Sequence, residues 1–313
     1  MNQATLLGIE IGGTKLQIVS GNGDDNLLSC HRFVVQRASG AAGIQLQIEA
    51  TIAEHYEGQI AAIGIGFGGP VNHLTGKIAT SFHVDGWSEF PLSEWLSSIA
   101  KVPVYIDNDA NVAALGEATY GAGKEHSKVL YMTVGSGVGG GLVIDKAIYH
   151  GAIPGEIEIG HIQMDRSGTT LQDLCSGWAV DEKIRKSISL DPNGLLAKLA
   201  DGKTSGEAIF LKEALQANDQ QAINIFEDTT NDLAFGLSHA VHLLHPEIII
   251  LGGGLSLLGE QFRAGIQSKL QGYLMRAFLP GPEIRLAQLK EMAVPVGSLV
   301  LARQHILNTL NNK

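Results

Sequence analysis

Two short stretches of the chain carry residue types suited to phosphoryl chemistry. In "LGIEIGGTKLQIVSGNG", residues 7–23, a strand meets Gly12 and Gly13, then Thr14 and Lys15, and returns as a second apolar strand. Consecutive glycines expose N–H groups with no Cβ in the way, which suits a phosphate oxygen. Thr14 adds a hydroxyl and Lys15 a charge, while Glu10 offers a carboxylate able to hold Mg2+ directly or through water. The second stretch, "VPVYIDND" at residues 102–109, is a strand delivering two acids at its C-terminal end. A carboxylate there can take the proton of an attacking hydroxyl, a role worth about 10²–10⁴-fold in rate. Alone, Asp109 has a simpler reading as the cap of a helix over Asp109–Thr119.

Two further glycine turns follow. "VLYMTVGSGVGGGLVI", residues 129–144, repeats the strand–turn–strand layout, with Gly135, Gly137 and Gly139 flanked by the donors Thr133 and Ser136. "EIIILGGG", residues 247–254, ends a buried strand in Gly252, Gly253 and Gly254, where a following helix N-terminus favours negative charge or a ribose. Neither GxxxxGK[ST] nor GxGxxG before a helix occurs, so phosphate-loop and Rossmann sites are excluded. One such turn is an ordinary hairpin; three at three strand ends point to a ligand.

The elements that must hold these turns are legible from periodicity. Strands are expected at residues 6–11, 15–20, 31–35, 60–70 and 102–109, with helices at 44–55 and 92–100. The second half adds a long amphipathic helix at 219–245 and the strand at 247–254. The expected domains are residues 1–118 and 119–293, two related α/β halves, with a helix at 294–313 packing back on the first. His239, His242 and His245 recur every third residue and rotate around the long helix; positive charge near its C-terminus explains them better than a metal.

Bulk properties narrow the function classes. The 313 residues include 39 glycines, about 12% against a usual value of roughly 7%. A formal net charge of −10 argues against a nucleic-acid partner. Cys30 and Cys175 make no disulfide framework. No apolar run reaches about 18 residues and no signal peptide is visible. The expectation is a soluble cytoplasmic protein with no membrane partner.

The ordered set "GIEIGGTK", "GIGFGGPV", "DNDANVAALGE", "TVGSGVGGGL", "GEIEIGH" and "IILGGGLS" resembles the ROK family of repressors and sugar kinases, over residues 7–302. The resemblance implies an α/β fold of two actin-like, hexokinase-type (ribonuclease H-like) ATPase domains with a cleft between them. It implies transfer of the γ-phosphoryl group of ATP, with Mg2+, to a hydroxyl of a hexose or amino-hexose, and a homodimer. Gly12, Gly13 and Thr14 would hold the transferred phosphate, Gly135–Gly139 the nucleotide phosphates, and Gly252–Gly254 the adenosine. Gly69, Asn108, Asp109, Glu158 and His161 would line the sugar, with Asp109 as catalytic base.

The chain departs from the family pattern in five respects. The CxCGxxGCxE segment that holds zinc in many members is missing, with only Cys175 nearby, so structural zinc is not expected. The second sugar-binding glutamate falls on Gln172. "PGEIEIGH" offers Glu156 two residues before Glu158; on a strand both face one side, and the usual spacing selects Glu158. Glu10 stands where aspartate is commoner. The phosphate motif begins at Leu7, leaving no room for the helix-turn-helix segment of the repressors. A non-catalytic sugar sensor is the alternative to a kinase.

Overall fold

The computed structural model describes residues 5–311, apart from Asp25, Glu57, Gln59, Phe82, His83, Pro154 and Glu156. In chain order its strands are β1 (Thr5–Ile11), β2 (Lys15–Gly21), β3 (Leu27–Val34), β4 (Ile60–Phe67), β5 (Val71–Asn72), β6 (Lys77–Ile78), β7 (Val104–Asn108), β8 (Lys128–Val134), β9 (Val138–Ile144), β10 (Ala147–Ile148), β11 (Ile248–Gly252) and β12 (Glu283–Leu286). The helices are α1 (Gly40–His55), α2 (Leu92–Ala100), α3 (Asp109–Thr119), α4 (Leu171–Cys175), α5 (Gly177–Leu190), α6 (Leu195–Ala200), α7 (Leu211–Gln216), α8 (Gln220–Leu244), α9 (Glu260–Tyr273) and α10 (Ala293–Asn311). Among the described residues no helix is long and apolar enough to cross a membrane.

Two five-stranded sheets share one plan. Their orders are β3-β2-β1-β4-β7 and β10-β9-β8-β11-β12. In the first, β1 and β2 form an antiparallel hairpin, and β4 and β7 add in parallel. In the second, β11 lies parallel to both β8 and β12. Parallel central strands need both faces covered, which is why β1, β4, β8 and β11 are almost wholly apolar. The chain divides into two compact units: residues 1–127, 141–157 and 288–313, and residues 128–140 and 158–287.

In the first unit, one face of the sheet packs Ile9, Ile18 and Ile65 against Ile44, Ile48 and Ile52 of α1 and Leu92 and Leu96 of α2. The other face packs Leu6, Val19 and Ala62 against Leu299 and Ala302 of α10. Helices α3 and α10 come together at glycines: a Cβ on Gly116 would lie 2.5 Å from the Ala293 carbonyl, and one on Gly297 would collide with that of Val112. Residues Ala110–Ala118 of α3 are all buried, so its N-terminus has little freedom to move.

In the second unit, α8 runs beside α9, with Phe226 and Phe262 edge to face at 6.4 Å between ring centroids. The three histidines near its end have separate tasks. His239 Nδ1 pairs with the Phe235 carbonyl, His242 Nε2 accepts from the Met275 N–H, and His245 closes the helix in the left-handed region while stacking on Phe278.

Candidate functional site

The first glycine turn is a tight hairpin. Gly12 donates its N–H to the Lys15 carbonyl at 2.9 Å. Glu10 lies opposite Gln17 in the register and is held by two donors: Gln17 Nε2 at 2.6 Å on one oxygen, and Lys15 Nζ at 3.1 Å on the other. Burial pushes the Glu10 carboxyl above its usual range, and the Lys15 charge opposes that rise. Arg37, a residue the sequence pattern does not single out, donates from Nε to the Gly13 carbonyl at 3.2 Å.

Asn108 and Asp109, at the junction of β7 and α3, divide their work. Asn108, not Asp109, caps α3. Its backbone is extended, and its Oδ1 accepts the N–H groups of Ala110 at 2.8 Å and Asn111 at 3.4 Å. Asp109 is the first helical residue, so the capping role that competes with a catalytic reading belongs to its neighbour. Asn108 Nδ2 donates to the Gly69 carbonyl at 3.2 Å, which ties the β4 loop to the same corner.

Gly68, absent from the expected site, joins the two motifs. It donates its N–H to the Ile11 carbonyl at 2.9 Å. A Cβ on Gly68 would lie 3.3 Å from Asp109 Oδ2 and 3.5 Å from Gly12 Cα. The Asp109 carboxylate and the first glycine turn therefore face one small gap that a side chain would fill. The sequence carries that signal as the doubled glycine of "GFGGP", whose second member alone is among the expected sugar contacts.

The second unit gathers the remaining expected residues. Thr133 pairs with Gly252 across β8 and β11. Gly253 adopts a φ of +80° and presses on Val134, where a Cβ would lie 2.5 Å from the carbonyl carbon. The helix expected directly after Gly254 is preceded by a 3-10 turn, Gly254–Leu258, and α9 begins at Glu260. Ser256 Oγ donates to the Gly253 carbonyl and fastens that turn.

The Gly135–Gly137 turn lies against the N-terminus of α5. Gly177 donates its N–H to the Gly135 carbonyl at 2.6 Å, and Ser176 caps the helix by accepting from Ala179 at 3.2 Å. A Cβ on Gly177 would lie 2.8 Å from the Gly135 oxygen. Ser136 is exposed on the turn, and Gly139 follows inside β9. Gln172, on α4, places Oε1 3.1 Å from where a Gly137 Cβ would stand. The sequence pattern named neither Ser176 nor Gly177, although "CSGW" holds the cap-and-glycine signal.

Glu158 precedes a 3-10 turn, Ile159–His161, and His161 ends it, with Oε2 and Nε2 3.9 Å apart and both side chains more than half exposed. Gly160 lets that turn sit against the Val138 carbonyl. Glu156 lies outside the described residues. Cys175 is buried, its thiol donates to the Thr229 carbonyl, and burial pushes its pKa up to about 12. It is thus a neutral core thiol in this structure rather than a thiolate ligand.

The ROK family model matches residues 6–305. The chain belongs to the ROK family. Its similarity to two glucokinases extends over nearly their full length. A glucokinase of Thermotoga maritima is 27% identical, over 98% of this chain and 99% of its own. A crystal structure of a ROK family glucokinase from Streptomyces griseus, in complex with glucose and AMPPNP, superposes with a TM-score of 0.83 at 30% identity, covering 96% of this chain and 99% of that one. A xylose repressor of Caldicellulosiruptor bescii is 25% identical over 80% of this chain and 64% of its own length. The fold is the two-sheet hexokinase type of the ROK sugar kinases.

Proposed function

We propose that the chain is an ATP-dependent sugar kinase of the glucokinase kind, transferring the γ-phosphoryl group to a hydroxyl of a hexose or amino-hexose. The observation that carries this reading is the Asp109 carboxylate beside the Gly12 turn across Gly68. A sensor that only bound sugar would need no phosphate turn next to a carboxylate. Full-length similarity to glucokinases supports the same reading.

In this mechanism Asp109 accepts the proton of the sugar hydroxyl as that oxygen attacks phosphorus. Asn108 has one amide hydrogen on Gly69, and its second orients a neighbouring hydroxyl. Because the Gly12 N–H closes the hairpin, the N–H groups of Gly13 and Thr14, with the Thr14 hydroxyl and Lys15, receive the transferred phosphoryl oxygens. Gly69, Glu158, His161 and Gln172 complete the sugar contacts, Glu156 being the alternative to Glu158. On the second unit, Thr133, Gly135, Ser136, Gly137 and Gly139, backed by the α5 N-terminus, hold the nucleotide phosphates. Gly252, Gly253 and Gly254 lie along the adenosine.

Glu10 fits a hydrated magnesium. Its oxygens already accept from Lys15 and Gln17, but a carboxylate has about four lone-pair sites and can also accept from a metal-bound water. When bound, the ion neutralises charge on the phosphoryl oxygens. A cytoplasmic homodimer belongs to the same proposal, and light scattering of the purified chain tests the dimer.

The deciding measurement is ADP release from Mg-ATP across a panel of hexoses and N-acetylhexosamines, with Asp109→Asn as control. Turnover with one sugar, lost in the control, supports the kinase and names its acceptor. Silence across the panel, with sugar still binding by calorimetry, sinks it. The similarity to a xylose repressor keeps that second reading, a sugar sensor, in play. Repeating the panel with polyphosphate separates the donors.

A further inference from the structure

Asp107 is the buried acid of the β7 end, and the acceptor chemistry leaves it without a task. Its side chain is 3% exposed. Oδ1 accepts the Asn108 N–H at 2.8 Å and Asn111 Nδ2 at 2.9 Å, so it grips the residue before Asp109 and a residue of the first helical turn. Oδ2 accepts from His150 Nε2 at 2.6 Å.

His150 comes from the segment after β10, 43 positions along the chain from Asp107, and it is itself held. Its ring stacks on His73, with centroids 3.7 Å apart and planes 13° from parallel. Burial, with His150 alongside, pushes the His73 imidazole below its usual range, which favours the neutral form of that ring. Gly155 makes room for the ring: a Cβ there would lie 3.1 Å from His150 Cβ and Cδ2. A parallel tie exists, because Asn111 Nδ2 also donates to the Gly155 carbonyl at 3.4 Å. Asn111 gives both donations from a fully buried amide whose Oδ1 has no hydrogen-bond partner. A buried orphan acceptor is normally avoided, so the donor arrangement around Asp107 is kept against a local penalty.

We propose that His150, acting through Asp107, is a positioning residue for Asp109. The imidazole fixes the rotation of the Asp107 carboxylate, the carboxylate fixes the Asn108–Asn111 corner, and the corner aims Asp109. Without His150, Oδ2 loses its donor, the carboxylate turns, and its hold on the corner is shared out differently. This rests on the reading of Asp109 as general base. A base misplaced by about 1 Å can lose roughly a hundredfold in rate.

The test is steady-state kinetics of the full chain with Mg-ATP and its preferred sugar, for wild type, His150→Ala, His150→Gln and Asp109→Asn, with a melting curve for each. His150→Ala is expected to lower kcat about ten- to hundredfold, with the sugar KM moving much less. His150→Gln, whose amide nitrogen can stand near the former Nε2, is expected to recover most of the loss. A purely structural role would lower melting temperature and active fraction without this split or this rescue, and that result overturns the proposal. Wild-type kcat in His150→Ala, with Asp109→Asn inactive, also overturns it and leaves the base reading standing. Retained kcat in Asp109→Asn, or no turnover by wild type, removes the base reading and this proposal with it.

Discussion

The Gly12–Gly13 turn and the Gly135–Gly137 turn occupy the same point of two sheets with the same strand order, between the first and second strands of each. Their supports are opposite in kind. The first is backed by side-chain charge, the Glu10–Lys15 pair, with the Asp109 carboxylate across Gly68. The second is backed by main chain, the N-terminus of α5 on the Gly135 carbonyl. The loops after the next strand differ in the same sense: Gly68 opens toward an acid, whereas Gly253 presses on the Val134 backbone. Where a group changes its charge during reaction, titratable side chains are useful. Where a polyphosphate is only held, fixed backbone dipoles suffice.

That contrast can be broken on either side. The largest effect is expected from Asp109→Asn, a kcat loss of about 10²–10⁴-fold with sugar affinity by calorimetry kept within a few-fold. Retained turnover would remove the first turn's claim to the chemistry. Next is Gly177→Ala. Overpacking of about 1–3 kcal/mol at the Gly135 carbonyl should raise the KM for ATP about five- to hundredfold, with sugar binding unchanged. A rise in the sugar KM instead would mean that the second turn does not serve the nucleotide.

Lys15→Met tests the charged support through pH. Removing the ammonium takes away the influence that holds Glu10 down, so burial raises its carboxyl further. The acid limb of kcat/KM should move to higher pH. Stability follows the same sign. For a carboxyl whose folded value lies above its ordinary 4.5, the proton-linked stabilisation is present below 4.5 and lost as pH rises through the raised value. The melting temperatures of wild type and variant should therefore agree best near pH 4 and separate toward neutrality. A constant gap would argue against Glu10 as its origin. The smallest effect is expected from Ser176→Ala, which removes a helix cap worth about 1 kcal/mol. Its melting temperature should fall about 2–4 °C, alongside a slight weakening of ATP binding.

How much of this was legible depended on how local the signal was. Helices Leu92–Ala100 and Asp109–Thr119 begin and end where periodicity and capping residues place them. The hairpin Thr5–Gly21 was equally clear, because apolar runs on both sides of a double glycine have few alternatives. The edge strand Leu27–Val34 extends four residues earlier than expected: it starts directly after the polar turn, and its side chains alternate between half-buried and exposed without a buried run to mark it. Helices α4–α7 have no counterpart among the expected elements. Three of them are five or six residues long, too short to show a periodic apolar stripe, and α5 is held besides by its exposed Arg185 on the buried Glu207 carboxylate, 22 positions along the chain. At the site, the glycines and acids showed by type, while their division of labour did not. Whether Asn108 or Asp109 caps α3 is decided by backbone torsion, and the Asp107–His150 bond joins distant positions.

The position of α10 in the chain bears on how the protein is made. The first sheet, β1 through β7, is complete once Asn108 has been synthesised, yet the apolar face formed by Leu6, Val19 and Ala62 is covered by Leu299 and Ala302. At about 5–20 residues per second, roughly 170 residues of further synthesis leave that face open for some 8–35 s after Ser127 emerges. The intervening residues, 128–140 and 158–287, build the other unit during that interval. The nascent chain thus exposes a hydrophobic sheet throughout most of its translation. Ribosome-bound chaperones should meet it there, and premature termination before α10 should yield an aggregating fragment rather than a folded half.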